Sequence, residues 1–376
     1  MPAGREGYKQ RIARDKRERR RKLILAVCVV STLFCFTLCF RTTKLGFIPP
    51  KEEVLNLYTM FRLWISDVFH TSYSLDKAER IAERPYYLET VGRFTSTVLT
   101  VVAGGVLSIS GAVYQSIFHN PLAVPSMLGV SGAVNVGLLI LVLLYSDRAL
   151  SMAARGEVIT VIVTFLVLGA VILYGRFLGG KKFSVVEMLI AGSILARLLS
   201  QIFTLVQRYM TYDDLLTLQN LQMYGYGLNK EGTVFAFFIP IIVAIIPLIF
   251  IRFSMNAVSF STDEAKCMGL NTFRLSLLAL VCGTFLVVIA VLFCGDVGML
   301  ALMIPFLCRA LFGADFRDQL FSCLVFGAGF LLVCRIIAIC CSFSHSTQFF
   351  TLGTIVSLLT APFFMFVIAR GRRGWN

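Results

Sequence analysis

The chain has 376 residues, of which 57% are hydrophobic and 15% are charged. Soluble globular proteins carry roughly 25% charged residues, and a chain this apolar would expose large hydrophobic patches to water. The composition therefore excludes a water-soluble protein and predicts that lipid solvates much of the chain.

The formal net charge of +14 is concentrated at the N-terminus. Residues 1–22 hold ten Lys or Arg against three acidic residues, which gives a net charge of +7. We expect a disordered, basic cytoplasmic tail that fixes the membrane orientation and is attracted to anionic lipid. Binding to nucleic acid is disfavoured, because an apolar run begins directly after Lys22 with no folded nucleic-acid module between them.

Ten apolar runs follow the tail, each close to the length of about 20 residues that a membrane-spanning helix needs. They predict one all-α polytopic domain over residues 23–376, with both termini in the cytoplasm. The basic residues Arg176, Lys181 and Lys182 then fall in a cytoplasmic loop, as the positive-inside rule requires. The predicted spans are roughly 23–40, 94–117, 127–145, 157–174, 184–206, 233–251, 274–293, 297–312, 319–339 and 351–369.

Residues 41–93 form the predicted external loop between the first two spans. Within this loop, apolar residues recur every three to four positions over residues 51–70. This period predicts an amphipathic helix at the outer membrane surface with Trp64 at headgroup depth, or a helix that packs on the rest of the protein. Lys51, Glu52 and Asn56 are predicted on its polar side.

The second span contains small residues four positions apart, Gly104, Ser108 and Ala112. Such a row lets two membrane helices approach closely, because no large side chain separates their backbones. The pattern is common in membrane proteins, so it predicts packing and says little about function.

No segment of the chain predicts a site of bond chemistry. Residues 175–182 approach the spacing of a phosphate-binding P-loop, but Lys182 stands where magnesium coordination needs Ser or Thr. Any ATP hydrolysis is therefore predicted on another chain. The eleven cysteines form no CxxC or Cys/His cluster, so they are interpreted as small hydrophobic residues and no metal site is predicted. The adjacent Cys340 and Cys341 receive no role.

Three segments resemble the FecCD-type permeases of siderophore, haem and cobalamin importers. The first combines Gly-Ala-Val-Tyr-Gln at 111–115 with Asn-Pro-Leu-Ala at 120–123, where Asn120 and Pro121 predict a helix-ending turn. The second is Asp-Glu-Ala-Lys-Cys-Met-Gly at 263–269. The third runs from Gly298 to Arg309, with Ala301 where the family usually has Gly and Phe306 and Phe316 where it usually has His. The matches follow the family order over most of the chain.

The resemblance implies the fold and assembly of a type II ABC importer permease in a bacterial cytoplasmic membrane. Two identical or homologous permeases would enclose a central path, an external substrate-binding protein would deliver an iron complex, haem or cobalamin, and two cytoplasmic ATPases would bind ATP and magnesium. The permease itself would bind no cofactor. Residues 252–273 would be the cytoplasmic coupling loop, with Asp263, Glu264, Ala265 and Gly269 in the helix that docks on the ATPase. Ordinary helix capping is the alternative for these four residues.

The resemblance also implies two exposed arginines that receive acidic residues of the binding protein. The family often has Arg-x-Pro-Arg at the outer start of the second span, whereas this chain reads Arg93-Phe94-Thr95-Ser96 and keeps only the first arginine. Arg335, near the outer end of the ninth span, matches another docking arginine. The alternative for both is an arginine that extends to the membrane surface at a helix end.

A charged residue lies midway along the fifth span, which lines the path between subunits in FecCD-type permeases. A charge at the bilayer centre costs about 2.5–3.5 kcal/mol on insertion scales, so it usually faces a pathway or a partner. We expect Arg197 to attract an anionic cargo, such as a ferric catecholate or the propionates of haem. An arginine bonded to backbone carbonyls within one subunit is the alternative. One helical face carries Ser193, Arg197, Ser200, Gln201 and Thr204.

Two other classes of function are weighed against an ATP-driven importer. A secondary transporter driven by an ion gradient generally needs a titratable carboxylate near mid-membrane, but Glu187 and Asp296 fall near predicted span ends. A membrane enzyme is disfavoured because the sequence contains no HExxH motif, no paired intramembrane carboxylates and no convincing nucleophile–base pattern.

Overall fold

The computed structural model describes residues 3–41, 46–47, 55–58, 87–145, 153–179, 185–225, 233–260, 262–341 and 350–371. This part of the chain is almost entirely helical, apart from a short antiparallel pair of strands, β1 (Phe40–Arg41) and β2 (Gly46–Phe47). The helices are α1 (Ala3–Cys39), α2 (Tyr87–Phe118), α3 (Val130–Tyr145), α4 (Ala153–Gly179), α5 (Val185–Gln207), α6 (Tyr212–Tyr224), α7 (Thr233–Phe260), α8 (Thr262–Cys267), α9 (Thr272–Cys294), α10 (Leu300–Phe312), α11 (Phe316–Cys341) and α12 (Leu352–Gly371).

Ten of these helices coincide with the ten predicted spans, and α6 and α8 are short connecting helices. Six helices are long and apolar enough to cross a membrane, namely α1, α2, α5, α7, α9 and α11. The other four, α3, α4, α10 and α12, carry shorter apolar segments. The prediction of an all-α polytopic fold is therefore confirmed.

Two helices extend beyond the predicted spans. The basic tail was expected to be disordered, but residues from Ala3 onward continue α1 without a break. Lys, Arg, Gln and Glu favour helix, and Asp15 stands four residues before Arg19, a spacing that stabilises helices. The coupling loop was expected from residue 252, but α7 continues to Phe260. No Gly or Pro interrupts residues 252–260, and Met255 and Val258 are fully buried.

Only residues 55–58 of the predicted amphipathic segment are described, and they are helical. Asn56, which was expected on the polar side, is 2% exposed, whereas Tyr58 is 61% exposed. This turn therefore packs on the protein through Asn56, whereas Tyr58, which belongs to the predicted apolar side, is exposed on the single chain. The position of the segment at the membrane surface stays a prediction. Trp64 and the remaining residues of 51–70 lie outside the described part.

Helices α2 and α9 form the centre of the bundle, and most of their residues are buried. Polar bonds between the two helices support this packing, because the Ser110 hydroxyl donates to the Gly283 carbonyl over 2.8 Å. The hydroxyls of Tyr114 and Thr284 lie 2.6 Å apart. In contrast, most residues of α1 and α5 are exposed on the surface of the single chain.

Helix α11 crosses α2 at a point where both backbones lack side chains. A Cβ atom added to Gly104 would collide with the Gly327 carbonyl, and one added to Gly327 would collide with the Gly104 carbonyl and the Ser108 hydroxyl. The Ser108 hydroxyl bonds to the Gly104 carbonyl over 2.8 Å, so it stays within its own helix. The predicted small-residue row is therefore confirmed as a site of close helix approach.

We expect Gly327→Ala to destabilise the protein by about 1–3 kcal/mol, because the new methyl group must push two helix backbones apart. Gly169→Ala is the matched control, since a Cβ atom added to this helical glycine meets no atom within 4 Å. The control should be neutral or mildly stabilising. Apparent melting temperatures in mild detergent measure both effects, and equal values for the two variants would contradict the expectation.

Candidate transport path and coupling surface

The connection between α7 and α9, which was predicted on the cytoplasmic side, contains the short helix α8, and this helix holds Asp263, Glu264 and Ala265. Ala265 is fully buried and Glu264 is exposed, whereas the side chain of Asp263 lies outside the described part. The segment therefore anchors itself through Ala265 and presents Glu264 to its surroundings.

A Schellman motif ends α8. The Gly269 amide donates to the Lys266 carbonyl over 2.9 Å, and the Leu270 amide donates to the Ala265 carbonyl over 3.1 Å. Gly269 has a φ of +80°, which glycine adopts without steric cost. The predicted C-cap at Gly269 is confirmed. Capping fixes the shape of this segment, and contact with an ATPase stays a prediction.

The turn after α2 contains Asn120 and Pro121, as predicted. The Asn120 side-chain oxygen accepts from the Leu122 amide over 2.9 Å, and the Asn120 carbonyl accepts from the Ala123 amide over 3.0 Å. These two bonds form a turn. After the turn, a 3₁₀ segment at Pro125–Leu128 leads into α3.

The predicted polar stripe of the fifth span lies on α5, and all five of its residues are exposed. The Ser200 hydroxyl donates to the Ala196 carbonyl and the Thr204 hydroxyl to the Ser200 carbonyl, each over 2.9 Å. The Ser193 hydroxyl likewise bonds to the Leu189 carbonyl. The three hydroxyls thus bond within their own helix, and no other described helix covers the stripe.

Arg197 forms no hydrogen bond or ion pair with any residue in the described part of the chain. The alternative of an arginine bonded to carbonyls within one subunit therefore receives no support from these residues. The opposite face of α5 is the anchored one, because Gly192 approaches the backbone of Met127 and Leu128. Arg197 consequently points away from the packed side of its own subunit.

The outer end of α2 differs from the expectation of exposed arginines. Arg93 is only 4% exposed, so its predicted exposure is wrong. Arg335 is partly buried, and its two terminal nitrogens donate to the hydroxyls of Ser96 and Thr100, the latter over 3.2 Å. The guanidinium therefore turns inward against α2, where hydroxyl groups solvate its charge.

Sequence reasoning missed Ser96 as a functional partner, although Ser96 was recognised as a departure from the family arginine. A second arginine at this position would place a like charge beside Arg335, whereas a serine hydroxyl accepts its hydrogen bond. The replacement of Arg by Ser is thus the signal that could have predicted the inward orientation of Arg335.

Two of the three other family departures have packing explanations. The carbonyl of Ala301 lies against Gly111, but this backbone contact does not explain why alanine replaces the family glycine at position 301. Phe306 contacts Phe364 with ring centroids 5.8 Å apart, and Phe316 is fully buried. Apolar contacts therefore occupy the positions where the family usually has histidines.

The residues predicted for the transport path, for the coupling surface and for docking of the binding protein lie in separate parts of the structure. The stripe of α5 follows the membrane-spanning direction, whereas α8 and the Asn120 turn lie at helix ends on the side assigned to the cytoplasm. Arg335 lies close to the segment that holds Arg93, because Ser96, which accepts from Arg335, follows Arg93 by about one helical turn and donates its own proton to the Gly92 carbonyl over 2.7 Å. Among the described residues, no group of three His, Cys, Asp or Glu side chains could hold a metal ion.

Comparison with solved structures supports the fold. The chain aligns with a metal-chelate type ABC transporter in an inward-facing conformation at a TM-score of 0.71 and 22% identity, over 93% of this chain and 99% of that chain. It also aligns with PsaBC from Streptococcus pneumoniae at a TM-score of 0.51 and 17% identity, over 72% of this chain and 88% of the other. At sequence identities of 22% and 17%, these two matches show only a shared fold.

Sequence comparison identifies the family. A probable iron chelatin transport system permease from Helicobacter pylori is 28% identical over 281 residues, which cover 74% of this chain and 82% of the relative. The vitamin B12 import system permease BtuC of Klebsiella pneumoniae is 28% identical over 288 residues, with the same two coverages. The profile of the FecCD transport family matches residues 55–370, well over half of the chain. The chain therefore belongs to the FecCD transport family.

Proposed function

We propose that this chain is the membrane-spanning permease subunit of an ATP-binding-cassette importer that moves an iron complex, haem or cobalamin across the bacterial cytoplasmic membrane. The observation that carries the proposal is the family match over residues 55–370, which includes both α5 and α8. The relatives named for iron chelatin and for vitamin B12 support these classes of cargo.

In this proposal the chain performs no bond chemistry. Two permease copies enclose the path, a substrate-binding protein delivers the cargo outside, and two ATPases bind ATP and magnesium in the cytoplasm. The permease contributes different affinities for cargo in its outward-facing and inward-facing states, and ATP binding on the partners shifts the population between them. In this proposal, α8 is the segment that transmits the conformational change of the ATPases to the membrane domain.

The ion-gradient alternative is not favoured. Glu187 lies in the first turn of α5 and Asp296 lies in the connection between α9 and α10, so both acids stand at span ends. Neither is the mid-membrane carboxylate that such a transporter usually needs.

The cargo is proposed to be an anionic chelate, because Arg197 lies on the exposed face of α5 and pairs with no residue in the described part of the chain. Lipid would not solvate this charge, whereas a water-filled path between two permeases would. The neighbouring hydroxyls already bond to their own helix, so Arg197 is the residue of the stripe that can discriminate cargo by charge.

Charge reversal of α8 should remove the ATPase. We expect wild-type protein in mild detergent to retain an ATP-binding subunit, and Asp263→Lys/Glu264→Lys to lose it, because the reversed charges would repel the basic side of the contact. Asp213→Lys, at the start of α6 on the outer side, is the matched control and should retain the ATPase. A wild-type protein that takes up cargo without any ATPase would contradict the proposal.

Removal of the Arg197 charge should impair uptake selectively. We expect Arg197→Ala to lower uptake of a ferric catecholate tenfold or more and to leave uptake of neutral cobalamin unchanged, since a hydrogen bond to a charged group contributes about 1.5–3 kcal/mol. Arg197→Lys should retain most uptake of the anion, and Ser200→Ala is the control within the stripe. Equal loss for both cargoes would show that Arg197 does not select by charge.

The docking role of Arg93 and Arg335 stays a prediction, and the inward orientation of Arg335 argues against a direct contact with the binding protein. We therefore expect Arg335→Met, which keeps an unbranched aliphatic stem and removes the charge, to change the affinity for the binding protein by less than about twofold. Binding of the substrate-binding protein to surface-immobilised permease measures this affinity. The melting temperature of the variant checks that it is folded. A tenfold loss of affinity in a folded variant would establish Arg335 as a docking residue.

A further inference from the structure

The C-terminal end of α7 takes part in side-chain hydrogen bonds that no local sequence pattern predicts. α7 ends at Phe260, and α8 begins at Thr262. The last two turns of α7 therefore connect directly to the proposed coupling helix. Two hydrogen bonds join these turns to two other spans, one to the end of α2 and one to the start of α11.

The first bond involves His119, which directly follows α2. Its ring nitrogen Nε2 donates to the Val258 carbonyl over 2.7 Å, and this bond spans 139 residues of sequence. Val258 lies in the last turn of α7, where carbonyl groups lack partners within the helix. The imidazole thus caps α7 from a neighbouring span.

His119 adopts an unusual backbone conformation to make this contact. Its φ of 49° is the only positive φ of a non-glycine residue in the described part of the chain. Residues with side chains rarely adopt this region, and surrounding contacts must hold them there. A glycine would adopt the same turn more readily, so the imidazole contact with Val258 is the feature that a glycine at this position could not supply.

The second bond involves Asn256, two residues before Val258. Its side-chain oxygen accepts from the Phe316 amide over 3.0 Å. Phe316 is the first residue of α11, where amides lack partners within the helix, so Asn256 caps α11. Arg317 adds a contact between the same two helices, because its guanidinium lies 5.2 Å from the ring centre of Phe253.

The two bonds connect α7 to α2 and α11, which pack together as one unit. α2 and α11 cross in close contact at Gly104 and Gly327, so the two helices cannot shift independently without breaking that packing. A displacement of α8 that pulls on the end of α7 would therefore act on α2 through His119 and on α11 through Asn256.

We propose that His119 and Asn256 are positioning residues that transmit the movement of α8 to the α2–α11 pair. This inference rests on the proposed function, because it takes α8 as the contact with the ATPase. The two tethers would convert a displacement at the cytoplasmic surface into a joint movement of two central spans.

The test compares His119→Gly, Asn256→Ala and the double variant in the assembled complex with its ATPase. Glycine accepts the backbone conformation of His119, so the turn should persist while the tether is lost. Ser259→Ala is the matched control, because the Ser259 hydroxyl bonds to the Asn256 carbonyl within α7 and reaches no other span. His119→Gln keeps a side-chain donor and should restore part of the effect.

The measurement is the distance between spin labels at Gly92→Cys in the two permease copies, with and without ATP, after the accessible cysteines are replaced by serine. Gly92 lies at the outer end of α2, and a side chain added there meets no atom within 4 Å. We expect ATP to change this distance in wild type and in Ser259→Ala. Each single variant should lose part of the change, and the double variant at least half of it, while retaining the ATPase subunit and its hydrolysis.

Two outcomes would overturn the inference, and they can be distinguished. A double variant whose distance change equals that of wild type would show that the tethers do not transmit movement, while the proposed importer function would stand. Labels that do not respond to ATP in wild type would count with this first outcome, whereas a wild-type protein that binds no ATPase would remove the proposed function and the inference together.

Discussion

The close contact between α2 and its two neighbours, α9 and α11, organises the rest of this fold. Lipid tails are as apolar as leucine, so membrane helices gain little from hydrophobic burial against each other and depend on tight packing and on bonds between helices. α2 provides both, with Gly104 against α11 and Ser110 bonded to α9. The peripheral helices α1, α5 and α7 are then free to present most of their surface to lipid or to another subunit.

The positions of the spans could be predicted because each one needs a long apolar run. Such a run can be recognised within a single window of about 20 residues. Their ends were harder to predict, because apolarity falls where lipid ends and not where the helix ends. Residues 252–260 continue α7 below the apolar run, since Met255 and Val258 find a buried environment among neighbouring helices. The basic tail was predicted, but its helical conformation was not, because a helix in water needs good helix-forming residues and no apolar run.

The candidate functional residues divide according to how far their partners lie along the chain. The stripe on α5 was predictable, because one helical period places its five residues on one face. The cap at Gly269 was predictable from neighbouring residues alone. The orientation of Arg335 depends on Ser96 and Thr100, more than 230 positions away, and the bond from His119 reaches 139 positions. No local pattern encodes such pairs, so only the folded chain reveals them.

The helix α10 has 13 residues, which span about 20 Å, whereas the hydrocarbon core of a bilayer is about 30 Å thick. Seven of its residues are buried, and it contacts both α2 and α11. Its non-helical ends can therefore lie below the membrane surface without meeting lipid. A helix shorter than the hydrocarbon layer can therefore belong to this domain without any local thinning of the bilayer, because neighbouring helices and not lipid surround its ends.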